Sequence, residues 1–323
     1  MEEIVIISGK NSDLANGIAQ ELRATARWPV RYIPDAVTRF SDGETAARLR
    51  ETIRGRKTYV VQDYDLSAEM LVQAGQMLEV VYKCDGKEPT LIEPYLAYSR
   101  QDKPVGREMG FVVKHLEFLE ICHAERVMTL DLHAPQIRSM FKKKFEDFSA
   151  RRIFQTFLQS HKLIDDMTII VSPDEGATKT CKIFAENLRV DRYYLPKDRM
   201  KEKTDALSRK VLADLDVTDC TVIVPDDVLS TGGTLVSAIE YLRGHGAKKV
   251  IVMISHCILA KGAIENLRRS PPDLLVTTNS VGRASLLNGV CPYEELSVAP
   301  LFAEGIRLLE NHESLSPLLA EYN

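Results

Sequence analysis

Two adjacent carboxylates, Asp226 and Asp227, stand just before a run of hydroxyls and glycines, Ser230-Thr231-Gly232-Gly233-Thr234. The two halves of this pattern suit different parts of one small molecule. Glycines let backbone N–H groups approach an anion closely, hydroxyls add donors, and a following helix contributes partial positive charge at its N-terminus. The second half is therefore a phosphate cradle. Carboxylates repel a phosphate and need another task, such as accepting from the vicinal hydroxyls of a sugar or placing Mg²⁺. A ribose 5-phosphate meets both demands. The plainer reading is a polar strand-to-helix turn in which Ser230 or Thr231 caps the helix. The acidic pair directly after an apolar run favours the binding reading.

Other clusters carry similar chemistry. In Arg39-Phe40-Ser41-Asp42-Gly43-Glu44, Phe40 can stack on a flat base and Asp42 or Glu44 can accept from an exocyclic amine. A turn with an incidental aromatic has the same composition. In YLAYSRQDK, Arg100 is by type a bidentate phosphate ligand, and Gln101 can bond a base or a phosphate oxygen; Asp102 and Lys103 read as a solvated pair. His133, in the cluster DLHAPQ, can ligate a metal, shuttle a proton or cap a helix. Asp174 lies in SPDEGATK after another apolar run. Lys197 and Arg199 belong to LPKDRMKEKTDA, a charged segment without apolar periodicity. It reads as a solvated loop, or as two cations that close over a triphosphate.

These clusters must be held by regular elements. Apolar runs at Ile4–Ile7, Tyr59–Gln62, Thr90–Ile92, Val127–Leu130, Met167–Val171, Thr221–Val224, Val250–Ile254 and Leu274–Thr277 predict strands. Segments such as LANGIAQELRA, AEMLVQAGQMLEVVYKC and LVSAIEYLR have helical periodicity. The alternation predicts an α/β protein with largely parallel sheets. Most runs end in one of the polar clusters, and in such sheets ligands bind beyond the carboxyl ends of the strands. A length of 323 residues suggests two domains, with a break near residues 145–151 in FKKKFEDFSARR.

Composition excludes several classes of function. A net charge of −4 argues against a polybasic nucleic-acid binder. The start, MEEIVIISGK, turns polar quickly and does not read as a signal peptide. No apolar run approaches the ~20 residues that span a bilayer. Six dispersed cysteines without a CxxC pair predict reduced thiols and a cytoplasmic protein with no zinc site.

The stretch TVIVPDDVLSTGGTL resembles the phosphoribosyl-diphosphate binding motif of phosphoribosyltransferases, and nearly the whole chain resembles the ribose-phosphate diphosphokinases (phosphoribosyl pyrophosphate synthetases). The resemblance rests on several blocks in the family's order: Phe40 to Glu44, Pro94 to Asp102, Asp131 to Ile137, Pro173 to Ala177, Lys197 to Arg199, and Asp226 to Thr234. Three departures stand out. Met109-Gly110-Phe111 replaces a Pro-Ile segment, Ala177 replaces the second glycine of the P-D-x-G-(G/A) turn, and Ser230 stands where many members have Asp.

The resemblance implies two pseudo-duplicated α/β domains of the type I phosphoribosyltransferase kind. Residues 1–149 plus about 300–323 would form an ATP-side domain, and residues 150–299 a ribose 5-phosphate-side domain. It implies transfer of the diphosphoryl group of ATP to the C1 hydroxyl of ribose 5-phosphate, giving phosphoribosyl diphosphate and AMP for nucleotide biosynthesis. Phe40, Asp42, Glu44, Arg100 and Gln101 would hold ATP. Asp226, Asp227 and Ser230 to Thr234 would hold the sugar phosphate, and His133 with Asp174 would hold Mg²⁺. Lys197 and Arg199, with His133, would act in catalysis. A homo-oligomer built from dimers, whose ATP site a neighbouring subunit completes, is also implied. The alternatives are a non-catalytic regulatory homologue and a phosphoribosyltransferase consuming the diphosphate.

Overall fold

A computed structural model of the chain describes residues 2–64, 67–104, 106–173, 178–195 and 217–320. Asp174, Lys197 and Arg199 lie outside the described residues. The chain divides into two units, Met1–Ser149 with Ser297–Asn323, and Ala150–Leu296.

In the first unit the apolar runs become β1 (Ile4–Ser8), β5 (Lys57–Val61), β6 (Lys87–Ile92) and β7 (Arg126–Leu130). β2 (Val30–Ile33) and β8 (Lys144–Phe148) lie at the edges of an all-parallel sheet of order β2-β1-β5-β6-β7-β8. A short hairpin, β3 (Val37–Arg39) and β4 (Thr45–Ala47), stands apart from it. Helices α1 (Asp13–Thr25), α2 (Glu69–Lys83) and α3 (Val112–Ile121) form the crossovers. β-branched residues such as Val5, Ile7, Val60 and Val127 are fully buried, as strands covered on both faces require. Met77, Leu78, Leu116 and Leu119 pack against them from α2 and α3.

The second unit contains α4 (Arg151–Ser160), β9 (Thr168–Ser172), α5 (Thr178–Leu188), β10 (Asp191–Tyr194) and β11 (Thr221–Leu229). α6 (Gly233–Gly244), β12 (Lys249–Cys257), α7 (Ala263–Arg269), β13 (Leu274–Thr278) and β14 (Tyr293–Leu296) follow. Its sheet is also parallel, in the order β10-β9-β11-β12-β13-β14. With the hairpin set aside, the two sheets wind identically. In each, the second strand lies outside the first, and every later strand is added on the other side. The direction in which strands are added thus reverses between β1 and β5 in one sheet and between β9 and β11 in the other. Such switch points open a crevice at the carboxyl ends of the strands.

The two units part at Ser149 and Ala150. Just before that point Lys144–Phe148 forms edge strand β8, whose charged start hides it in the sequence, since an edge strand needs no continuous apolar run. One expectation needs correction: the acidic pair does not follow its strand. Residues 226 and 227 lie within β11, whose pairing with β12 continues through Asp226 with Ile254 and Val228 with His256.

The last helix, α8 (Ala299–Glu310), belongs to the first unit. Gly17 lets α1 approach it, since a Cβ there would lie 3.0 Å from that of Ala299. The rings of Phe148 and Phe302 pack with centroids 5.4 Å apart. Among the described residues no helix is long and apolar enough to cross a membrane, and no disulfide joins the cysteines. Burial pushes the Cys257 thiol up to about 12 and the Cys291 thiol to about 11, so neither is a ready nucleophile.

Candidate active site

In the second unit the cradle is built where β11 meets α6. Asp226 and Asp227 are half-buried, and the Asp227 N–H donates to Asp226 Oδ1 at 2.9 Å. The loop after them is tied down through its carbonyls. The Leu229 carbonyl accepts from the N–H groups of Ile258 and Leu259, the Ser230 carbonyl from Ala260 N–H, and the Thr231 carbonyl from Asn266 Nδ2.

Gly232 stands at the helix N-cap with φ +76°, a left-handed conformation that suits glycine, and no side chain caps the helix. The alternative in which Ser230 or Thr231 caps it is not realised. Gly233 and Thr234 belong to the first turn of α6 rather than to a loop. The N–H groups of that turn have no carbonyl partner within the helix. Among the described residues a Cβ added at Gly233 would meet nothing within 4 Å, so the first turn borders open space on that side. That space can take an anion.

His256 is buried near the end of β12, with Nδ1 2.9 Å from Ser280 Oγ. Ser280 Oγ and Thr278 Oγ1 both donate to the Ser255 carbonyl, at 2.9 and 2.7 Å. This network stiffens the strand end beside the cradle.

In the first unit, Arg100, Gln101 and His133 lie past the carboxyl ends of neighbouring strands β6 and β7, and all three are exposed. Two links join these clusters. The Pro94 carbonyl accepts from Leu130 N–H at 3.0 Å and from Thr129 Oγ1 at 3.1 Å. Gln136 Nε2 donates to Asp102 Oδ2 at 2.6 Å, so Asp102 is not a purely solvated group.

Phe40, Asp42 and Glu44 sit at the tip of the β3–β4 hairpin. Phe40 N–H donates to the Glu44 carbonyl at 2.8 Å, and Glu44 N–H to Asp42 Oδ1 at 3.1 Å. Phe40 is 56% exposed, a large apolar face held outward. The hairpin is bonded to the end of β1 through Ala36 and Val37. It thus occupies a different part of the rim from Arg100, Gln101 and His133.

The sequence reading missed Glu93 and His115. Both are buried, Glu93 just past β6 and His115 on α3, with His115 Nε2 3.4 Å from Glu93 Oε2. Burial alone would depress the imidazole. The Glu93 carboxylate, helped by the Ala97 carbonyl, outweighs that and holds it above its usual value.

Residues 4–114 match the N-terminal domain of ribose phosphate pyrophosphokinase, and residues 191–320 match the phosphoribosyl synthetase-associated domain. The chain is 30% identical over 322 residues to a ribose-phosphate pyrophosphokinase of Thermosipho africanus, covering 99% of this chain and 98% of the relative. The corresponding protein of Listeria ivanovii is 30% identical over 310 residues, 95% of this chain and 94% of the relative. The chain belongs to the ribose-phosphate pyrophosphokinase family.

Solved structures agree with this membership. The phosphoribosylpyrophosphate synthetase of Mycobacterium smegmatis superposes with a TM-score of 0.84 at 27% identity, covering 96% of this chain and all of that one. Like that family's solved member, the chain has an α/β fold with parallel, helix-flanked sheets, as the resemblance implied. Among the described residues no three of His, Cys, Asp and Glu cluster to hold a metal. A nucleotide-borne Mg²⁺ keeps several waters and needs only one or two protein ligands beside the phosphates. An exposed imidazole at a strand end, His133, is compatible with that requirement.

Proposed function

We propose that this chain transfers the diphosphoryl group of ATP to the C1 hydroxyl of ribose 5-phosphate, releasing AMP and phosphoribosyl diphosphate. The observation that carries this is the end-to-end match to ribose-phosphate pyrophosphokinases in both sequence and structure. The C1 oxygen bonds to the β-phosphorus as the bond from that phosphorus to the α–β bridging oxygen breaks; AMP leaves with that oxygen, and the hydroxyl proton is released. Alignment and neutralisation of charge are the protein's main contributions to such a step.

The 5-phosphate rests on the first turn of α6, receiving the N–H groups that follow Gly232 and the hydroxyls of Ser230, Thr231 and Thr234. The open space at Gly233 supports this placement. Asp226 and Asp227 accept from the ribose hydroxyls. Arg100 and Gln101 take the polyphosphate, and Phe40 stacks on the adenine with Asp42 and Glu44 at its edge. His133, with Asp174, holds Mg²⁺, which when bound offsets the charge of the phosphate oxygens. Lys197 and Arg199 close over the transferring group. The hairpin tip and the Arg100–His133 rim occupy separate parts of the first unit. That separation favours a homo-oligomer built from dimers, in which one subunit's tip serves its neighbour's rim, and the six free cysteines suit a cytoplasmic protein.

A phosphorus NMR time course with ATP, ribose 5-phosphate and Mg²⁺ tests the reading. AMP and phosphoribosyl diphosphate should rise together. ADP in place of AMP would identify an ordinary kinase. ATP binding without turnover would identify a regulatory homologue, and neither binding nor turnover would point to a phosphoribosyltransferase.

A further inference from the structure

The turn that carries Arg100 and Gln101 includes a residue in an unfavoured conformation. Tyr98 has φ +63°, which a bulky L-residue adopts only where its surroundings hold it. The hold falls on its neighbour. Ala97 N–H donates to Glu93 Oε1 at 2.9 Å, and the Ala97 carbonyl lies 3.0 Å from His115 Nδ1. Both polar backbone groups of one residue are thus gripped by buried side chains, one from the strand end and one from α3. The ring of Tyr98 packs against Phe111, with centroids 4.7 Å apart, and edge-on to His115 at 5.8 Å. Three residues further on, Gln101 N–H closes on the Tyr98 carbonyl at 2.8 Å.

The imidazole lies between two acceptors. Nδ1 is within hydrogen-bond reach of the Ala97 carbonyl, whereas Nε2 stands 3.4 Å from Glu93 Oε2 without a hydrogen bond between them. The attraction to Glu93 is that of an ion pair when the ring is protonated. A buried ion pair is a poor source of stability, because desolvation offsets most of its attraction, and two apolar side chains would fill the space as well. Gripping a backbone is something apolar side chains cannot do.

We propose that the buried Glu93–His115 pair is a positioning device for the nucleotide-binding turn, gripping Ala97 and sustaining the backbone of Tyr98 so that Arg100 and Gln101 meet the polyphosphate. This rests on the assignment of those two residues to ATP. Glu93 and His115 touch no substrate and act through the turn. The titratable groups facing the imidazole are Glu93 from the end of β6 and Tyr98 from the turn.

Steady-state kinetics of the full chain with both substrates, joined to ATP titration calorimetry without ribose 5-phosphate, test the proposal. Glu93→Gln keeps an oxygen for Ala97 N–H but loses the charge that holds the imidazolium, whereas Glu93→Ala loses both. KM for ATP should rise about tenfold in the first and toward a hundredfold in the second, the scale of a misplaced binding group. KM for ribose 5-phosphate should stay within about twofold of the parent in both, because the sugar phosphate is not held by this turn. An unchanged KM for ATP in folded Glu93→Ala overturns the proposal, and so does a parallel rise of both KM values.

Should the variants not fold, the unaltered protein still decides. Its KM for ATP should rise as pH rises through the elevated value of His115, while KM for ribose 5-phosphate stays flat; parallel responses overturn the proposal. If the parent makes no phosphoribosyl diphosphate, the assigned reaction fails. The calorimetric affinities for ATP then judge the pair separately.

Discussion

Gly232 and Gly233 adjoin in sequence but should respond in opposite ways to the same substitution. At Gly232, alanine must adopt φ +76° and place its Cβ 3.3 Å from Leu229 Cδ1. The left-handed conformation costs an L-residue about 1–2 kcal/mol. In a unit of this size that lowers Tm by roughly 3–8 °C. At Gly233 no positive φ is imposed and the added methyl enters open space. Gly233→Ala should therefore leave Tm unchanged or raise it slightly, since it stiffens the unfolded chain by about 0.4–1 kcal/mol.

Binding should follow the other order. The methyl at position 233 occupies the space assigned to the 5-phosphate and displaces one or two charge-assisted hydrogen bonds. At about 1.5–3 kcal/mol for a hydrogen bond to a charged group, KM for ribose 5-phosphate rises on the order of ten- to a hundredfold. KM for ATP should not move. Thermal melts of both variants, read beside initial rates of AMP release, provide the comparison. A Gly233→Ala enzyme with parental KM for ribose 5-phosphate would refute the phosphate placement. A Gly232→Ala enzyme with parental Tm would refute the backbone argument.

Three other perturbations follow from the structure. Asp227→Asn should cut kcat/KM for ribose 5-phosphate by about ten- to a hundredfold, and 2-deoxyribose 5-phosphate should lose little on the variant compared with the parent; equal losses on both enzymes would remove the hydroxyl contact. Phe40→Ala should change stability by less than about 0.5 kcal/mol, because the ring is already 56% exposed, yet weaken ATP binding; unaltered ATP affinity by calorimetry would show that the tip does not stack on the base. The raised pKa of His115 links stability to pH. Its contribution is complete below about pH 6.5, the unfolded value, and is lost as pH rises through the elevated folded value. Tm of the parent should decline across that window, and a Glu93→Gln protein with the same slope would contradict the pairing.

The parallel strands were legible because burial on both faces demands continuous β-branched runs, and Ile4–Ser8 or Lys249–Cys257 look like nothing else. The left-handed turn at Gly232 and the helix start at Gly233 were legible because a glycine pair after an apolar run leaves a compositional mark. Lys144–Phe148 was not, since an edge strand with a charged start carries no apolar run. Nor did residue types betray that β11 continues through Asp226 and Asp227, because pairing with the long neighbour β12 sets its length. Glu93 and His115 lie 22 positions apart and meet only in the folded sheet-helix layer. A single histidine among apolar helix neighbours gives no spacing signal. A strand-end glutamate in a chain rich in such residues stood out no more.

The return of α8 to the first unit has a consequence for how the chain matures. The second unit is contiguous in sequence, whereas the first is completed only by a helix that begins at Ala299. Until that helix leaves the ribosome, the faces of α1 and Phe148 that it covers stay open to solvent. Domains generally fold as they emerge, but here the later half can close before the earlier one does. An incomplete copy lacking α8 would carry a finished second unit and an unfinished first one.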